Sequence, residues 1–169
     1  MLTVAVPTTA LAETPEAEAE TEEQAAPRYE KLKQVYDVAV QSSDPAERAA
    51  KMQHVLNVAM YHMGMTPLED LHITEADRGT TAPEIVIVLH GNEIALFSRK
   101  GAKKNKEMHK AVKALHEAGV EFRVCRGAAA LMHELTAEDM VEVVEMVPGG
   151  EAEVAWLQQQ GFGYNFFQH

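Results

Sequence analysis

The chain has a single cysteine, Cys125, in 169 residues. One thiol excludes an internal disulfide, a CxxC redox pair and any multi-cysteine zinc site within one chain. Aromatic residues make up 6% of the sequence and are not interleaved with its basic cluster, Arg99 to Lys113, which argues against single-strand nucleic-acid binding. The sequence contains no P-loop, GxGxxG, HExxH or GxSxG pattern. Nor does it carry a long apolar run. The only apolar stretch near a terminus, Met1 to Ala12, is too short to span a bilayer as a helix.

The formal charge of −11 is unevenly distributed. Residues 13 to 30 hold seven Glu against one Arg, so they form an acidic leader on a mildly acidic body. Ala10-Leu11-Ala12 matches a small-x-small signal-peptidase site, although the basic n-region is missing and Pro7 interrupts the apolar part. We read residues 1–12 as the remnant of an export signal, 13–30 as a disordered acidic leader, and 31–169 as one α/β domain. On that reading the protein is exported to the periplasm. The alternative is a disordered alanine-rich terminus on a cytoplasmic protein.

From Leu32 the pattern is regular. Val35 to Val40 reads as a strand and Gln41-Ser42-Ser43 as its turn. Asp44-Pro45-Ala46-Glu47 then opens a helix: an N-cap, a proline at the first helical position, and a glutamate three residues after the cap. Met52, Val55, Leu56, Ala59, Met60 and Met63 share one face of that helix, and Gly64 is its expected stop. Residues 66–82 read as an irregular loop. Glu84 to Leu89 (EIVIVL) has the composition of a strand buried on both faces, and His90-Gly91-Asn92 is its exit turn.

Further along, the spacing predicts a helix over 105–118, a strand over 120–125, a short helix over about 128–135, and a strand over 141–147. A helix over 151–160 and a strand over 164–168 complete the chain. Strands alternating with helices predict a three-layer α/β/α sandwich around a mainly parallel five-stranded sheet, Rossmann-like in plan.

Cys125 ends a strand where a helix is about to start, at the rim where open α/β sheets place their chemistry. Helix-start N–H groups and the nearby Arg123 and Arg126 favour a thiolate there. Gly127 would allow close approach of an anion. Two readings fit: a functional thiol, or a buried and inert one. His90 ends a neighbouring strand, either as a base toward Cys125 or as a turn histidine bonded to its own backbone. Asn92, Ser42 and Ser43 are polar residues of the same rim, and with His90, Arg126 and Gly127 they are the expected substrate-binding lining of a pocket there. His133 is expected to point away from it.

Met52, His54, Met60, His62, Met63 and Met65 suggest soft-metal ligands. The core-facing methionines and the opposed His54 reduce that set to His62, Met65 and His72, a weak copper-type alternative.

The run EIVIVLHGN (84–92), then GVEFRVC (119–125), LTAEDM (135–140) and VEVVEMVPGGEAEVAWLQQQGFGY (141–164), in this order and spacing, resembles the DsrE/DsrF-like (DsrEFH superfamily) proteins in their small single-domain form. The resemblance covers about residues 32–168. It implies that Cys125 is the functional thiol and carries sulfane sulfur as a persulfide. It also implies a homotrimer or homohexamer and a sulfur donor or acceptor protein as partner. No cofactor is expected, and a carrier is expected more than a turnover enzyme. The competing expectations are a binding module for a small ligand or copper-type metal, and a structural oligomer with a buried Cys125.

Overall fold

A computed structural model describes residues 32–66 and 83–168. The expected signal remnant, the acidic leader, and His72 with the rest of 67–82 lie outside the described residues. In chain order the elements are β1 (Lys33–Ala39), α1 (Pro45–His62), β2 (Glu84–Leu89), a 3₁₀ segment (Asn92–Phe97), α2 (Arg99–Lys104), α3 (Lys106–Glu117) and β3 (Glu121–Cys125). There follow α4 (Arg126–His133), a 3₁₀ turn (Ala137–Asp139), β4 (Val144–Val147), α5 (Gly150–Gln159) and β5 (Gly163–Gln168). The five strands form one sheet in the order β4-β3-β2-β1-β5, every neighbouring pair parallel. The expected sandwich is therefore what the chain adopts.

Side chains alternate across the sheet, and the two faces are unequal. Tyr36, Val38, Ile85, Ile87, Leu89, Phe122 and Val124 face the larger cluster, against Met52, Val55, Leu56 and Ala59 of α1 and Met108, Val112 and Leu115 of α3. Val35, Val86 and Val88 face a smaller cluster completed by Val154 and Leu157 of α5 and by Phe162. Strand β2 contributes to both clusters, which accounts for its nearly unbroken β-branched composition. Helix α1 begins as its sequence requires: Asp44 accepts from the Ala46 and Glu47 N–H groups, both at 2.8 Å, a cap that contributes about 1 kcal/mol. It ends with Met63 as cap and Gly64 at φ +71°.

Three stretches depart from expectation. The region after the β2 exit turn is structured throughout. Ile94, Leu96 and Phe97 of the 3₁₀ segment are buried, and the residues around Gly101 form helix α2, for which the sequence spacing predicts no element. Gly101 is sterically required there, since a Cβ would lie 2.2 Å from the Ala95 carbonyl oxygen and 2.7 Å from that of Leu96. Gly101→Ala is expected to cost about 1–3 kcal/mol from overpacking against backbone, read as a lowered urea midpoint; an unchanged midpoint would show that the segment yields.

Strand β4 starts at Val144, not Val141, because Met140 bridges antiparallel to Ser98 and the Val141 N–H bonds the Phe97 carbonyl at 3.1 Å. Lastly, α4 starts at Arg126 rather than near Ala128, so strand and helix meet at Cys125 with no linker.

Candidate functional site

The carboxyl ends of β1, β2 and β3 form a rim on which the side chains of the α5 face converge. The β2–β3 register pairs Leu89 with Val124, so the next position brings His90 beside Cys125. Alternation puts both on the face of Asp37, opposite the larger core.

Cys125 is the N-cap of α4. Its sulfur accepts the Ala128 N–H at 3.4 Å, and the residue is 7% exposed. Gly127 borders the sulfur. A Cβ placed there would lie 3.8 Å from Sγ and 4.0 Å from the Pro148 carbonyl oxygen, which is ordinary contact. A side chain therefore fits at position 127, and glycine is not sterically demanded. What glycine does is leave that side of the sulfur bordered by backbone alone. Arg126 is exposed, and its Nη2 lies 3.5 Å from the Met146 carbonyl oxygen.

Arg123 does not serve the thiol as its sequence position suggested. It is held by Glu121, Glu153 and Glu145 and lies over the Trp156 ring. Three carboxylates neutralise it, so it lends Cys125 no net charge.

His90 is tied to Asp37 rather than to the thiol. Its Nε2 lies 2.5 Å from Asp37 Oδ1, while Nδ1 faces Glu151 Oε1 at 3.8 Å. Tyr164 donates to the other Asp37 oxygen at 2.7 Å. The hydrogen bond to Asp37 raises His90 above its ordinary value; burial opposes this, and the charges of Asp37, Glu151 and Glu93 add to the rise. Asp37 is pushed up by burial, but its bonds to His90 and Tyr164 and the charge of His90 outweigh this and hold it below the usual carboxylate range.

A histidine raised in the folded state gives stability that is complete below its unfolded value of 6.5 and is lost as pH rises through the folded value. A depressed aspartate gives stability present above 3.8 and lost as pH falls through its folded value. The pair therefore holds best between these two ordinary values and weakens on either side. Asp37→Asn is expected to lower the His90 titration midpoint, followed on its ring protons by NMR; an unmoved midpoint would contradict the pairing.

Beneath this pair lies Glu93, fully buried. Its Oε1 accepts the Gly91 N–H at 2.7 Å and its Oε2 the Val40 N–H at 2.8 Å. One carboxylate thus clamps the exits of β1 and β2, and burial pushes its pKa up against the backbone donors that pull it down. Gly91 fits only as glycine, because a Cβ would meet Glu93 Oε2 at 2.6 Å and the Val40 nitrogen at 2.7 Å. Gly150, at the start of α5, packs on His90, whose Cβ would lie 2.7 Å from an added methyl.

Asn92 donates to the Gln41 carbonyl at 3.0 Å and so lashes together the two exit turns. Ser42 donates to Glu47 at 2.7 Å and accepts the Asp44 N–H at 3.2 Å, both within the α1 cap, and Ser43 is exposed. Among the described residues no hydrogen bond links Asn92, Ser42, Ser43 or His90 to Cys125. His133 reverses expectation: its Nε2 lies 3.3 Å from the Gly91 carbonyl oxygen, so it turns toward the rim.

Of the copper-type set, His72 lies outside the described residues. His62 Nδ1 pairs with the buried Tyr36 hydroxyl, and Met65 packs on the larger core. Among the described residues no group of three or more His, Cys, Asp or Glu side chains is placed to hold a metal ion. Nor is any helix among them long and apolar enough to cross a membrane.

Sequence reasoning missed Asp37 and Glu93. The available signal was an acid inside an otherwise apolar stretch: VYDVAV for one, and the buried run after HGN for the other.

A parallel five-stranded α/β sandwich with a lone thiol capping the helix after its third strand defines the class. Residues 35–166 match the DsrE/DsrF-like family, and the chain belongs to it. Among solved structures it is similar to MTH1491, a protein of unknown function from Methanobacterium thermoautotrophicum. The two share 18% identity and a TM-score of 0.52 over 80% of this chain and 98% of that one, a likeness of fold alone. No curated protein matches the sequence.

Proposed function

We propose that the protein is a sulfur carrier that accepts sulfane sulfur on Cys125 and passes it on as a persulfide. The observation that carries this reading is the position of Sγ, which caps α4, receives the Ala128 N–H at 3.4 Å and is bordered by a residue with no side chain. An N–H aimed at sulfur from a helix start stabilises negative charge there, and both the attacking thiolate and the terminal persulfide sulfur are anionic.

The step balances without an outside oxidant. The Cys125 thiolate attacks a sulfane sulfur of an inorganic polysulfide, and an S–S bond forms as the donor's S–S bond breaks. The electron pair leaves with the shortened polysulfide. An acceptor thiolate then attacks the terminal sulfur and returns Cys125 to the thiolate. The chain's lone cysteine suffices, and no cofactor is required.

The test is cold cyanolysis after polysulfide treatment and removal of excess reagent. The expected yield is about one thiocyanate per chain, and none from Cys125→Ala; a yield independent of Cys125 would overturn the proposal.

The resemblance further supports a homotrimer or homohexamer, with a donor or acceptor protein as partner. Helix α4, which Cys125 caps, exposes Leu131 at 88% and Met132 at 49%, an apolar surface suited to a subunit seam. Export to the periplasm rests on Ala10-Leu11-Ala12, and the mass of the mature N-terminus tests it.

A further inference from the structure

We infer that a second site, independent of Cys125, binds a small molecule carrying a divalent tetrahedral oxyanion, such as phosphate or a phosphate ester. The site is a groove of about 430 Å³ between the first turn of α1, helix α2 and the end of α4. Its polar lining is Arg48, Lys100, Lys104, His133, Ser98 and Asn105, and no carboxylate lines it.

The charges of this groove are unspent. Lys33 pairs with Glu84, Lys51 with Glu47, Lys110 with Glu107, Lys113 with Glu117, and Arg123 with three glutamates. Among the described residues Arg48, Lys100 and Lys104 have no such partner, as is also true of Arg99, Lys103, Lys106 and Arg126, but these three are gathered in one groove that no carboxylate lines. Arg48 goes further, since its Nε is buried without any hydrogen-bond acceptor. A buried charged donor left unsatisfied is costly and calls for an acceptor. The acids nearest in sequence do not supply one. Asp44 caps the Ala46 and Glu47 N–H groups, and Glu47 is taken by Ser42 and Lys51.

The rest of the groove is pre-formed. Ser98 Oγ caps the Gly101 N–H at 2.9 Å, and Asn105 donates to the Gly101 carbonyl at 2.9 Å, which fixes α2 and the lysines it carries. The planar Arg48 fork suits tetrahedral oxyanions, and a volume of this size admits a small ligand. Aromatic residues are not interleaved with the basic cluster from Arg99 to Lys113, so a small anion fits the groove better than single-stranded nucleic acid.

Isothermal titration of the full chain with inorganic pyrophosphate and inorganic phosphate, at low and fixed ionic strength, tests the site. Saturable one-to-one binding is expected, weakened at least tenfold by Lys104→Glu and by Arg48→Gln. Lys103→Glu, one residue away on the same helix but outside the groove, should weaken it far less. Lys100 and Lys104 are exposed, so a Lys100→Glu/Lys104→Glu variant keeps the test valid if Arg48→Gln fails to fold. No saturable binding, or equal loss from Lys103→Glu and Lys104→Glu, would overturn the inference. Sulfur loading of Cys125 should be unchanged in Lys104→Glu, so the two sites fail or survive separately.

Discussion

Glu93→Ala is expected to destabilise the fold by about 2–4 kcal/mol, because it strands two buried backbone donors, Gly91 N–H and Val40 N–H, that now bond a carboxylate. Glu93→Gln should cost less, about 1–3 kcal/mol. Its amide offers one oxygen to one N–H and turns an NH₂ toward the other. Urea unfolding at neutral pH measures both, and a loss below about 1 kcal/mol for alanine would show that the clamp is dispensable.

The difference between wild type and Gln also depends on pH. Burial raises Glu93 above its ordinary 4.5, so the folded state holds that proton more tightly. The stability this confers is present at low pH and lost as pH rises through the raised value. The glutamine variant does not titrate at this position. The gap between the two should therefore narrow from pH 4.5 upward.

The second large effect is chemical rather than structural. Cys125→Ser and Cys125→Ala should both abolish sulfur uptake, yet differ in stability. Serine is among the favoured N-caps, and its hydroxyl replaces the sulfur as acceptor of the Ala128 N–H, so the fold should hold within about 0.5 kcal/mol. Alanine forfeits the cap at about 1 kcal/mol. Equal loss of uptake with unequal stability separates the thiol's reactivity from its place as a cap. Residual uptake in the serine variant would locate the sulfur elsewhere.

The sheet was legible in the sequence because burial on two faces leaves a compositional mark, clearest in EIVIVL, and α1 because cap, proline and periodicity agree at Asp44-Pro45. Strand β4 was misplaced because apolar composition cannot tell a strand from the segment before it. Val141 is used to bond Phe97, a contact 44 residues distant in sequence that no local pattern records. The 3₁₀ segment after Asn92 escaped for a similar reason: its short apolar run has neither helical nor strand period.

Cys125 was placed correctly from its junction, but its surroundings were not. His133, expected to point away, lies instead against the Gly91 carbonyl, a contact 42 residues distant in sequence that no local pattern records. Arg123 lies next to Cys125 on its strand face, yet its charge is consumed by glutamates on β3, β4 and α5, and only tertiary structure brings those together. His90 likewise found its partner in Asp37, 53 residues earlier.

The central claim is that a sulfur only 7% exposed still receives an incoming sulfur atom at the sheet rim. Intact mass spectrometry of the folded protein after polysulfide treatment tests this most directly. The account predicts added mass in whole sulfur atoms on wild type, removed by a thiol reductant and absent from Cys125→Ser. An unmodified folded wild type that takes up sulfur only after denaturation would contradict it.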